Sequence, residues 1–400
     1  VIESKNIKSL YFEEYEEIIA TQNFLNATSN YKELGGTRTN LYKCFLPQAW
    51  KITNENGIFS FIHPDSIYDE PGGKLLRAEI YKRLKMHFQF VNERVLFDID
   101  HHVKYSLNVY GNKISSRFKC IFNLYEPLTI DECFEGRNKS EVEGLKNKHG
   151  NWSLKGHQDR ILEIGKKELE LFASLYDEPG TKYYQAKLPQ LHSKQLLSAV
   201  SSFNKENKLG NIEEKFTTQF WNETTSQKSG IIKKKTTFVD DFSNFIYCGP
   251  NIGVGNPMYK TPRKSCTKNS DYDVINIENI SESYIQRTNY IPGIEYSEYV
   301  KNMPKLNWDE EINNSFKLAC RKMLNITGER SLMSAIIPKK ATHIHGIFSL
   351  TFKDIDKLIK CAALFTSIPY DFYIKSYGKD NLLDDTCSKL PFEESKYDDL

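Results

Sequence analysis

Several kinds of segment are missing from this sequence, and each absence excludes a class of protein. The chain has no run of about 18 apolar residues and no basic-then-apolar leader, which argues against a membrane span and a secretory signal. Its eight cysteines are scattered, with no two close enough for a C-x-x-C pair. We therefore expect a cytoplasmic protein whose thiols are reduced and buried.

Charge of one sign is also lacking overall, because the formal net charge of the 400 residues is only +2. The total charge therefore gives no indication that the protein binds nucleic acid. Its distribution is uneven, since residues 228–235 and 260–268 are basic runs without an intervening acid. Such runs are typical either of solvated faces or of surfaces that meet phosphates, and both interpretations stay open.

Length and composition predict a globular chain with more than one core. The sequence is 39% hydrophobic and 26% charged, and 400 residues exceed what one ordinary core needs. Between residues 131 and 150 the composition turns polar. We place a linker there, between a first domain at residues 1–130 and a second at 151–400.

The stretch from Asn40 to Phe90 has the order of an α/β domain. Apolar residues recur at helical spacing from Leu41 to Trp50, and Ile58–Ile62 is a short apolar run that suits a buried parallel strand. A second helical stripe then leads into another strand. The segment resembles the closing half of a nucleotide-type domain, so we expect the chain to open within that domain.

Farther along, alternating apolar residues at Tyr105–Val109 and Phe118–Phe122 predict an antiparallel hairpin. In the second half, spacing predicts a helix at Asn314–Leu324, a short strand at Ala335–Ile337 and a strong helix at Ile355–Phe365. The residues from 216 to 300 show no clear period, which is typical of a loop-rich surface with short strands.

Particular residues in both halves resemble one family. Phe45–Trp50 followed by Gly57–Asp65 is similar to the region after the catalytic loop in adenine-specific DNA methyltransferases. Thr327–Leu332, Ala335–Pro338 and Ile368–Lys379 resemble the target-recognition region of large bacterial methyltransferases. These are the single-chain type IIG restriction–modification enzymes and their relatives in phage defence, and the resemblance runs from about residue 20 to residue 391.

The resemblance implies an α/β and α+β chain: the C-terminal half of a Rossmann-like methyltransferase domain, followed by a mixed α/β target-recognition domain. The implied reaction is methyl transfer from S-adenosylmethionine to the exocyclic amino group of a flipped adenine, whose extraction from the duplex costs a few kcal/mol. Double-stranded DNA is the implied partner, and other restriction or phage-defence subunits are further candidates.

That chemistry needs an Asn/Asp-Pro-Pro-aromatic loop and a Gly-rich cofactor loop, and neither precedes Asn40, where family order would put them. The resemblance therefore implies that S-adenosylmethionine is bound mainly by residues outside this chain. One loop, Gly253–Tyr259, resembles the catalytic motif, with Asn256, Pro257 and Tyr259 in the expected places and a methionine for the second proline. Its late position favours a loop beside DNA instead.

We predict DNA contacts at three places. Lys260, Thr261, Arg263 and Lys264 follow the loop just described and are expected to meet phosphates. Arg287 and Asn289 carry side chains suited to the edges of guanine and adenine, although such residues also populate ordinary polar loops. Lys375, Ser376 and Lys379 follow a strand-like segment and are expected to grip a phosphate through one amide and two ammonium groups. Glu329 and Arg330 are interpreted either as part of this surface or as a structural ion pair.

We predict no metal site. His101 and His102 lie beside Asp98 and Asp100, and His343-x-His345 is a second histidine pair, but nothing adds a third ligand at zinc spacing. His63-Pro64-Asp65 could begin a nuclease motif, yet no acidic-x-Lys pair follows it on a strand.

Two functions remain in view. The first is part of a DNA adenine-N6 methyltransferase of a restriction–modification or phage-defence system, in which this chain recognises the DNA target. The second is a non-catalytic DNA-specificity or adaptor subunit.

Overall fold

The computed structural model describes residues 5–136, 141–203, 207–325 and 328–392. Contacts divide the chain into two compact units, Val1–Asn204 and Lys205–Leu400. The helices are α1 (Lys5–Asn26), α2 (Leu41–Ile52), α3 (Lys74–Arg83), α4 (Leu128–Glu135), α5 (Lys166–Tyr176), α6 (Lys194–Ser201), α7 (Glu223–Lys228), α8 (Tyr296–Lys301), α9 (Ile355–Thr366), α10 (Ile368–Tyr377) and α11 (Asp384–Cys387). The strands are β1 (Ile58–Pro64), β2 (Leu84–Val91), β3 (Lys104–Gly111), β4 (Phe118–Leu124), β5 (Leu162–Ile164), β6 (Lys215–Thr218), β7 (Ile232–Thr237), β8 (Ile246–Tyr247), β9 (Lys260–Pro262), β10 (Tyr272–Val274), β11 (Thr288–Pro292), β12 (Lys317–Arg321), β13 (Ser334–Ile337), β14 (Thr342–His343) and β15 (Ile347–Phe352).

A five-stranded mixed sheet in the order β1-β3-β2-β4-β5 organises the first unit. Strand β3 is antiparallel to both β1 and β2, so those two strands run in the same direction. Strand β4 is parallel to β2, and β5 is antiparallel to β4. The sheet therefore holds one antiparallel strand inserted between two strands of common direction that helix α3 connects.

Strand β1 forms where the apolar run predicted it, but its surroundings differ from the prediction. It is an edge strand that pairs only with β3 in the described sheet, and the pairing is antiparallel. Ile58 and Ile62 are 72% and 56% exposed. The run of apolar residues indicated a strand correctly, whereas the inference of burial between parallel neighbours was wrong.

The predicted hairpin also needs correction. Both of its strands exist as β3 and β4, but they do not pair with each other, because β2 lies between them. Alternation of apolar and polar residues along a strand indicates that one face of the strand is buried. It does not indicate which other strand pairs with it.

The first compact unit extends well past the predicted linker. Strand β5 adds to β4, with Phe118 opposite Ile164. Two buried arginines fasten later segments to earlier ones: Arg160 donates to the carbonyl of Phe122 at 3.0 Å, and Arg77 donates to the carbonyl of Gln185 at 3.0 Å. The contact boundary at 204/205 thus lies later than the predicted linker at 131–150, of which residues 137–140 lie outside the described part.

Two four-stranded sheets and a hairpin build the second unit. One sheet has the order β13-β12-β15-β6 and the other has the order β14-β8-β11-β7, while β9 and β10 form a separate antiparallel pair. Residues Asn314–Leu324 were predicted as a helix, but β12 lies there, buried between β13 and β15. The predicted strand at Ala335–Ile337 and the predicted helix at Ile355–Phe365 are present as β13 and α9.

All eight cysteines are free and buried, as the sequence predicted. Within the described ranges, every helix is too short or too polar to cross a lipid bilayer.

Candidate nucleic-acid interface

The second unit has an open cleft of about 460 Å³ bounded by strands β7, β9 and β11 and by the turn at Gly249–Asn251. Its lining includes four basic side chains, which are Lys234, Lys260, Lys268 and Arg321. Glu223 is the only carboxylate among the lining residues. The cleft therefore concentrates positive charge, which favours an anionic ligand.

Aromatic and amide groups form the interior of the cleft. Asn289 donates from Nδ2 to the hydroxyl of Tyr272 at 2.8 Å, and Tyr290 donates from its hydroxyl to Glu223 Oε1 at 2.9 Å. Burial raises the pKa of the Cys248 thiol to about 12, although the hydrogen bond with the Tyr272 hydroxyl acts in the opposite direction. This thiol is thus held protonated, and the cationic groups dominate the electrostatics of the cleft.

Arg321 has the most confined charge in the lining. Its Nε donates to the carbonyl of Ile252 at 2.7 Å, and its guanidinium lies 5.5 Å from the centre of the Tyr259 ring. Burial lowers the pKa of Arg321 from its ordinary value. Its buried Nη2 has no hydrogen-bond partner within the described part of the chain. An unsatisfied donor beside a cleft is a group that a bound acceptor would stabilise.

The hairpin of β9 and β10 carries the predicted phosphate contacts. Lys264 is exposed, and Arg263 is exposed but paired with Asp273, whose Oδ1 accepts from Arg263 Nε at 2.9 Å. The ion pair lowers the pKa of Asp273. Sequence alone shows no acid within 260–268, but hairpin register puts Asp273 opposite Thr261. Part of the basic charge is therefore balanced across the strands.

Arg287 and Asn289 were predicted to face base edges, and the structure separates them. The guanidinium of Arg287 lies 4.8 Å from the centre of the Phe238 ring and is half-buried. Asn289 is buried, and its Oδ1 accepts from the hydroxyl of Thr236 at 2.9 Å while its amide nitrogen is used within the cleft. Base readout by Asn289 would require its amide to exchange these internal bonds, and base readout stays a prediction for Arg287 and Asn289 alike.

The loop Gly253–Tyr259 is arranged as a structural turn. Asn256 Oδ1 accepts from the backbone nitrogen of Met258 at 2.8 Å, and the carbonyl of Pro257 accepts from Gln286 Nε2 at 2.9 Å. Gly253 packs against the ring of Tyr259, since a Cβ added at Gly253 would lie 3.0 Å from it. The acceptors that a catalytic loop would offer to adenine are bonded within the protein and the Tyr259 ring is packed, which favours the interpretation of Asn256, Pro257 and Tyr259 as a loop beside DNA over the catalytic one.

The residues predicted to bind a phosphate, 375–379, lie at the end of helix α10, which ends at Tyr377, and not after a strand. Lys375 Nζ donates to the carbonyls of Gly328 and Glu329 at 2.9 and 2.8 Å. Ser376 is buried, with its hydroxyl 2.7 Å from the carbonyl of Tyr373, and Lys379 Nζ lies 5.4 Å from the centre of the Tyr377 ring. The C-terminus of a helix presents carbonyls and negative dipole, which disfavours a phosphate.

Arg330 has the structural role that was one of its two interpretations, with a different partner. Its Nε lies 3.5 Å from Asp371 Oδ1, and its Nη2 donates to the carbonyl of Thr366 at 2.7 Å. Asp371 Oδ1 also accepts from the backbone nitrogens of Ser331 and Leu332, both at 2.7 Å. The carboxylate therefore joins α10 to the segment before β13.

A buried polar network surrounds the end of β1 in the first unit. Asn108 Nδ2 donates to His63 Nε2 at 3.0 Å, and Asn108 Oδ1 accepts from Tyr68 at 2.7 Å and from His87 at 2.8 Å. Burial lowers the pKa of His63 to about 4 and also lowers the pKa of His87. Both imidazoles are therefore neutral near pH 7, and they serve the sheet as hydrogen-bonding groups.

The remaining histidines divide into exposed and buried sets. Asp100, His101 and His102 are exposed, and their possible ligand atoms lie within 4.8 Å of one another. His343 is buried, with Nε2 2.8 Å from the hydroxyl of Ser349. The pair formed by His343 and His345 is thus not arranged as a metal site in the described structure, because His343 already bonds within the core.

Sequence reasoning missed Arg321 and Tyr272 as parts of the cleft, because neither belongs to a motif or a basic run. Lys234 and Lys268 were signalled only as members of the two basic runs. Those runs meet at one cleft through the pairing of β7 with β11 and the fold of the β9–β10 hairpin.

Comparison with known proteins gives two findings. No family model matches the sequence, and no curated protein matches it. Among solved structures, the type IIG restriction endonuclease BpuSI aligns with 90% of this chain and 42% of its own, at 9% identity and a TM-score of 0.32. The type IIL restriction–modification enzyme MmeI, solved in complex with DNA, aligns with 86% of this chain and 40% of its own, at 9% identity and a TM-score of 0.37. The chain thus spans about two fifths of the length of these restriction–modification enzymes. Likeness at this level establishes neither a shared fold nor membership of a family.

Proposed function

We propose that this chain is part of an S-adenosylmethionine-dependent DNA adenine-N6 methyltransferase of a restriction–modification or phage-defence system, and that its second unit contacts the DNA target. The observation that carries the proposal is the order β1-β3-β2 in the first unit. The sequence resemblance provides the family, and the strand order is what that family implies for the end of its methyltransferase domain.

The strand order supports the proposal in a specific way. A class I methyltransferase domain finishes with an antiparallel strand inserted into an otherwise parallel series. Here β3 is antiparallel between β1 and β2, which run in the same direction. A simple meander of three consecutive strands would instead put β2 in the middle and β3 at its far side. The unpaired side of β1 is then the place where we expect the cofactor-binding half of the sheet to continue.

The second unit supports the DNA-binding part of the proposal through charge. Lys260 and Lys268 line the cleft, and Lys264 is exposed on the neighbouring hairpin. Lysines on exposed short strands and turns can follow a phosphate backbone without reading the base sequence. Target reading requires further contacts, for which Arg287 is our candidate.

The loop Gly253–Tyr259 does not fit the reacting base as it is arranged in the described structure. The only loop that resembles the catalytic motif has its Asn256 and Pro257 acceptors bonded to Met258 and Gln286. We therefore propose that S-adenosylmethionine is bound mainly outside this chain. The same observation favours the second candidate function, a DNA-specificity or adaptor subunit without chemistry of its own.

One experiment separates the two candidates. The complete natural protein that contains this chain and the 400-residue chain are each incubated with DNA and S-adenosylmethionine that carries a labelled methyl group, and DNA binding is measured in parallel. The methyltransferase proposal requires that the complete protein labels adenine at N6 and that the chain alone binds DNA without labelling it. Binding without labelling by the complete protein would replace the proposal with the adaptor function. Absence of DNA binding by the chain would remove the DNA role of its second unit.

A further inference from the structure

The open cleft of the second unit combines three kinds of side chain. Basic side chains lie at its walls, tyrosines form part of its interior, and one carboxylate, Glu223, lies among them. Its volume of about 460 Å³ falls within the range of small-ligand sites, roughly 300–1,000 Å³. We propose that this cleft binds one nucleotide unit, with its phosphate at the lysines and its base beside the tyrosines. The inference goes beyond the proposed function, which needs only contacts along the outside of a duplex.

Three lysines form the end of the cleft where we place the phosphate. Lys234 projects from β7 and Lys260 begins β9, so two different strands direct ammonium groups to one cleft. Lys268 joins them from the turn before β10. Arg263 has a carboxylate partner in Asp273, but Lys234, Lys260 and Lys268 have none within 4.0 Å in the described part of the chain. A phosphate would supply the missing negative charge and would form charge-assisted hydrogen bonds.

Two tyrosines and Glu223 form the end of the cleft where we place the base. Tyr272 and Tyr290 are among the lining residues and are 8% and 7% exposed, so the small accessible part of each ring is an apolar surface beside which a base can lie. Tyr290 donates to Glu223 Oε1, and Glu223 is exposed, so its other oxygen remains accessible as an acceptor. A carboxylate accepts from the exocyclic amino group of a base. The site should therefore prefer a base that carries an amino group over thymine, which has none.

Strand β7 provides a matched pair of variants. Lys233 and Lys234 are adjacent and both exposed, but only Lys234 lines the cleft. Side chains alternate between the two faces of a strand, so the neighbours point to opposite sides. Lys234→Gln and Lys233→Gln remove the same charge from the same strand, and a difference between them reports the cleft and not the net charge.

The test is isothermal titration of the 400-residue chain with dAMP, dTMP and inorganic phosphate. We expect saturable binding of dAMP with a dissociation constant below roughly 1 mM, several times tighter than that of dTMP or of phosphate. Lys234→Gln should weaken dAMP binding by about tenfold or more, as expected for the loss of one charge-assisted hydrogen bond. Lys233→Gln should leave it unchanged, and Glu223→Gln should reduce the preference for dAMP over dTMP. Absence of dAMP binding, or equal effects of the two lysine variants, would overturn the proposal.

A second titration identifies the source of the nucleotide and separates this inference from the proposed function. A duplex with one unpaired adenine is compared with the same duplex fully paired. If the cleft takes its nucleotide from a DNA strand, the unpaired adenine strengthens binding and Lys234→Gln abolishes the gain. Equal binding of both duplexes together with dAMP binding would assign the cleft to a free nucleotide. Duplex binding without dAMP binding would refute the cleft and leave the DNA role intact, whereas dAMP binding without duplex binding would refute the DNA role alone.

Discussion

The buried arginines of the first unit and the cleft lysines of the second unit use positive charge in opposite ways. In the first unit Arg77 and Arg160 are 0% and 1% exposed, and their guanidinium groups are bonded to backbone carbonyls. In the second unit Lys234 is exposed and Lys260 is half-buried at the open cleft. Most donors of these two buried cations are bonded within the protein, so their charge contributes to cohesion. An exposed cation beside a cleft keeps its donors available, so it can contribute to recognition.

The difference teaches that a basic residue cannot be assigned to binding from sequence alone. Lys375 was predicted to contact phosphate, yet it is bonded to the carbonyls of Gly328 and Glu329 and lies 3.1 Å from Asp371. Lys234 belonged to a run that could equally have been a solvated face, yet it lines the cleft. The burial of a basic side chain and its bonding partners decide whether it stabilises the fold or remains available for binding.

The largest effect is expected at Arg160. Its Nη1 donates to the carbonyl of Lys155 at 3.0 Å, and its Nη2 donates to those of Phe122 and Asn123 at 3.0 and 3.1 Å. Arg160→Met leaves these three carbonyls without their donor, so we expect the free energy of unfolding to fall by about 3 kcal/mol. Urea denaturation followed by circular dichroism measures the change.

Arg117 is the matched control for that variant. It belongs to the same unit, and its side chain is 66% exposed with a contact of 3.4 Å to Glu163. Arg117→Met should change the free energy of unfolding by no more than about 0.5 kcal/mol. If the two variants were equally mild, the buried arginine would not hold the segment after residue 136 to the sheet.

The next effect is a loss of stability in mild acid. Burial lowers the pKa of His63 to about 4 and that of His192 to about 3, whereas histidine in an unfolded chain titrates near 6.5. Below pH 6.5 these histidines bind protons in the unfolded chain but not in the folded chain. The stability that their neutral forms provide is therefore fully present above pH 6.5 and is lost as the pH falls toward 4. We expect each of these histidines to cost about 2 kcal/mol between pH 7 and pH 5.

His63→Gln tests the origin of this loss, since glutamine keeps hydrogen-bonding capacity but does not titrate in this range. The free energy of unfolding of the variant, measured from pH 7 to pH 5, should have a smaller slope than that of the natural chain. His149 is exposed, and His149→Gln should preserve the slope. An unchanged slope in His63→Gln would mean that the pKa of His63 in the folded state is close to its value in the unfolded chain, and it would contradict the prediction.

A smaller effect is expected on DNA binding. The double variant Lys260→Gln/Lys264→Gln removes two cations from the β9–β10 hairpin, so duplex affinity should fall about tenfold at moderate salt. The slope of log affinity against log salt should decrease by about 2, because one counterion is released for each phosphate contact. Fluorescence anisotropy across a salt series measures both quantities.

Lys375→Gln is the counterpart from the internally bonded lysines. It should leave the salt slope unchanged and lower the free energy of unfolding instead, because three acceptors lose the ammonium group. A decrease of the slope by one in this variant would restore Lys375 to the interface and contradict the division between bonded and available cations.

The sequence predicted where many elements lie but not how they are arranged. The strands near Ile58 and Tyr105 were expected from short-range pattern, and such pattern depends only on neighbouring residues. Their partners depend on contacts between distant segments, which no local pattern encodes. Helix α10 is an exception that local chemistry could have revealed, because Ser367 caps it and Pro369 occupies its first turn.

The candidate site followed the same rule. The two basic runs were visible in the sequence, but their meeting at one cleft required the pairing of β7 with β11. The partner of Arg263 was hidden, since Asp273 is ten residues away and becomes adjacent only through the hairpin. The resemblance to a short motif was the least informative signal. The amino-acid sequence of Gly253–Tyr259 is similar to a catalytic loop, but its hydrogen-bond acceptors are bonded within the protein.

The smallest effect is expected at Asn256. Its side-chain oxygen is a hydrogen-bond acceptor that is bonded within the protein, as most donors of the buried arginines are. Its Oδ1 accepts from the backbone nitrogen of Met258 at 2.8 Å, so Asn256→Ala should lower the free energy of unfolding by about 1 kcal/mol. Asn256→Asp keeps the acceptor and should cost less. Under the proposed function, both variants of the complete natural protein should retain methyl transfer to DNA at the natural rate. A folded Asn256→Ala protein that had lost methyl transfer by a hundredfold or more would show that this amide reaches the adenine, which requires the loop to release Met258 when DNA binds.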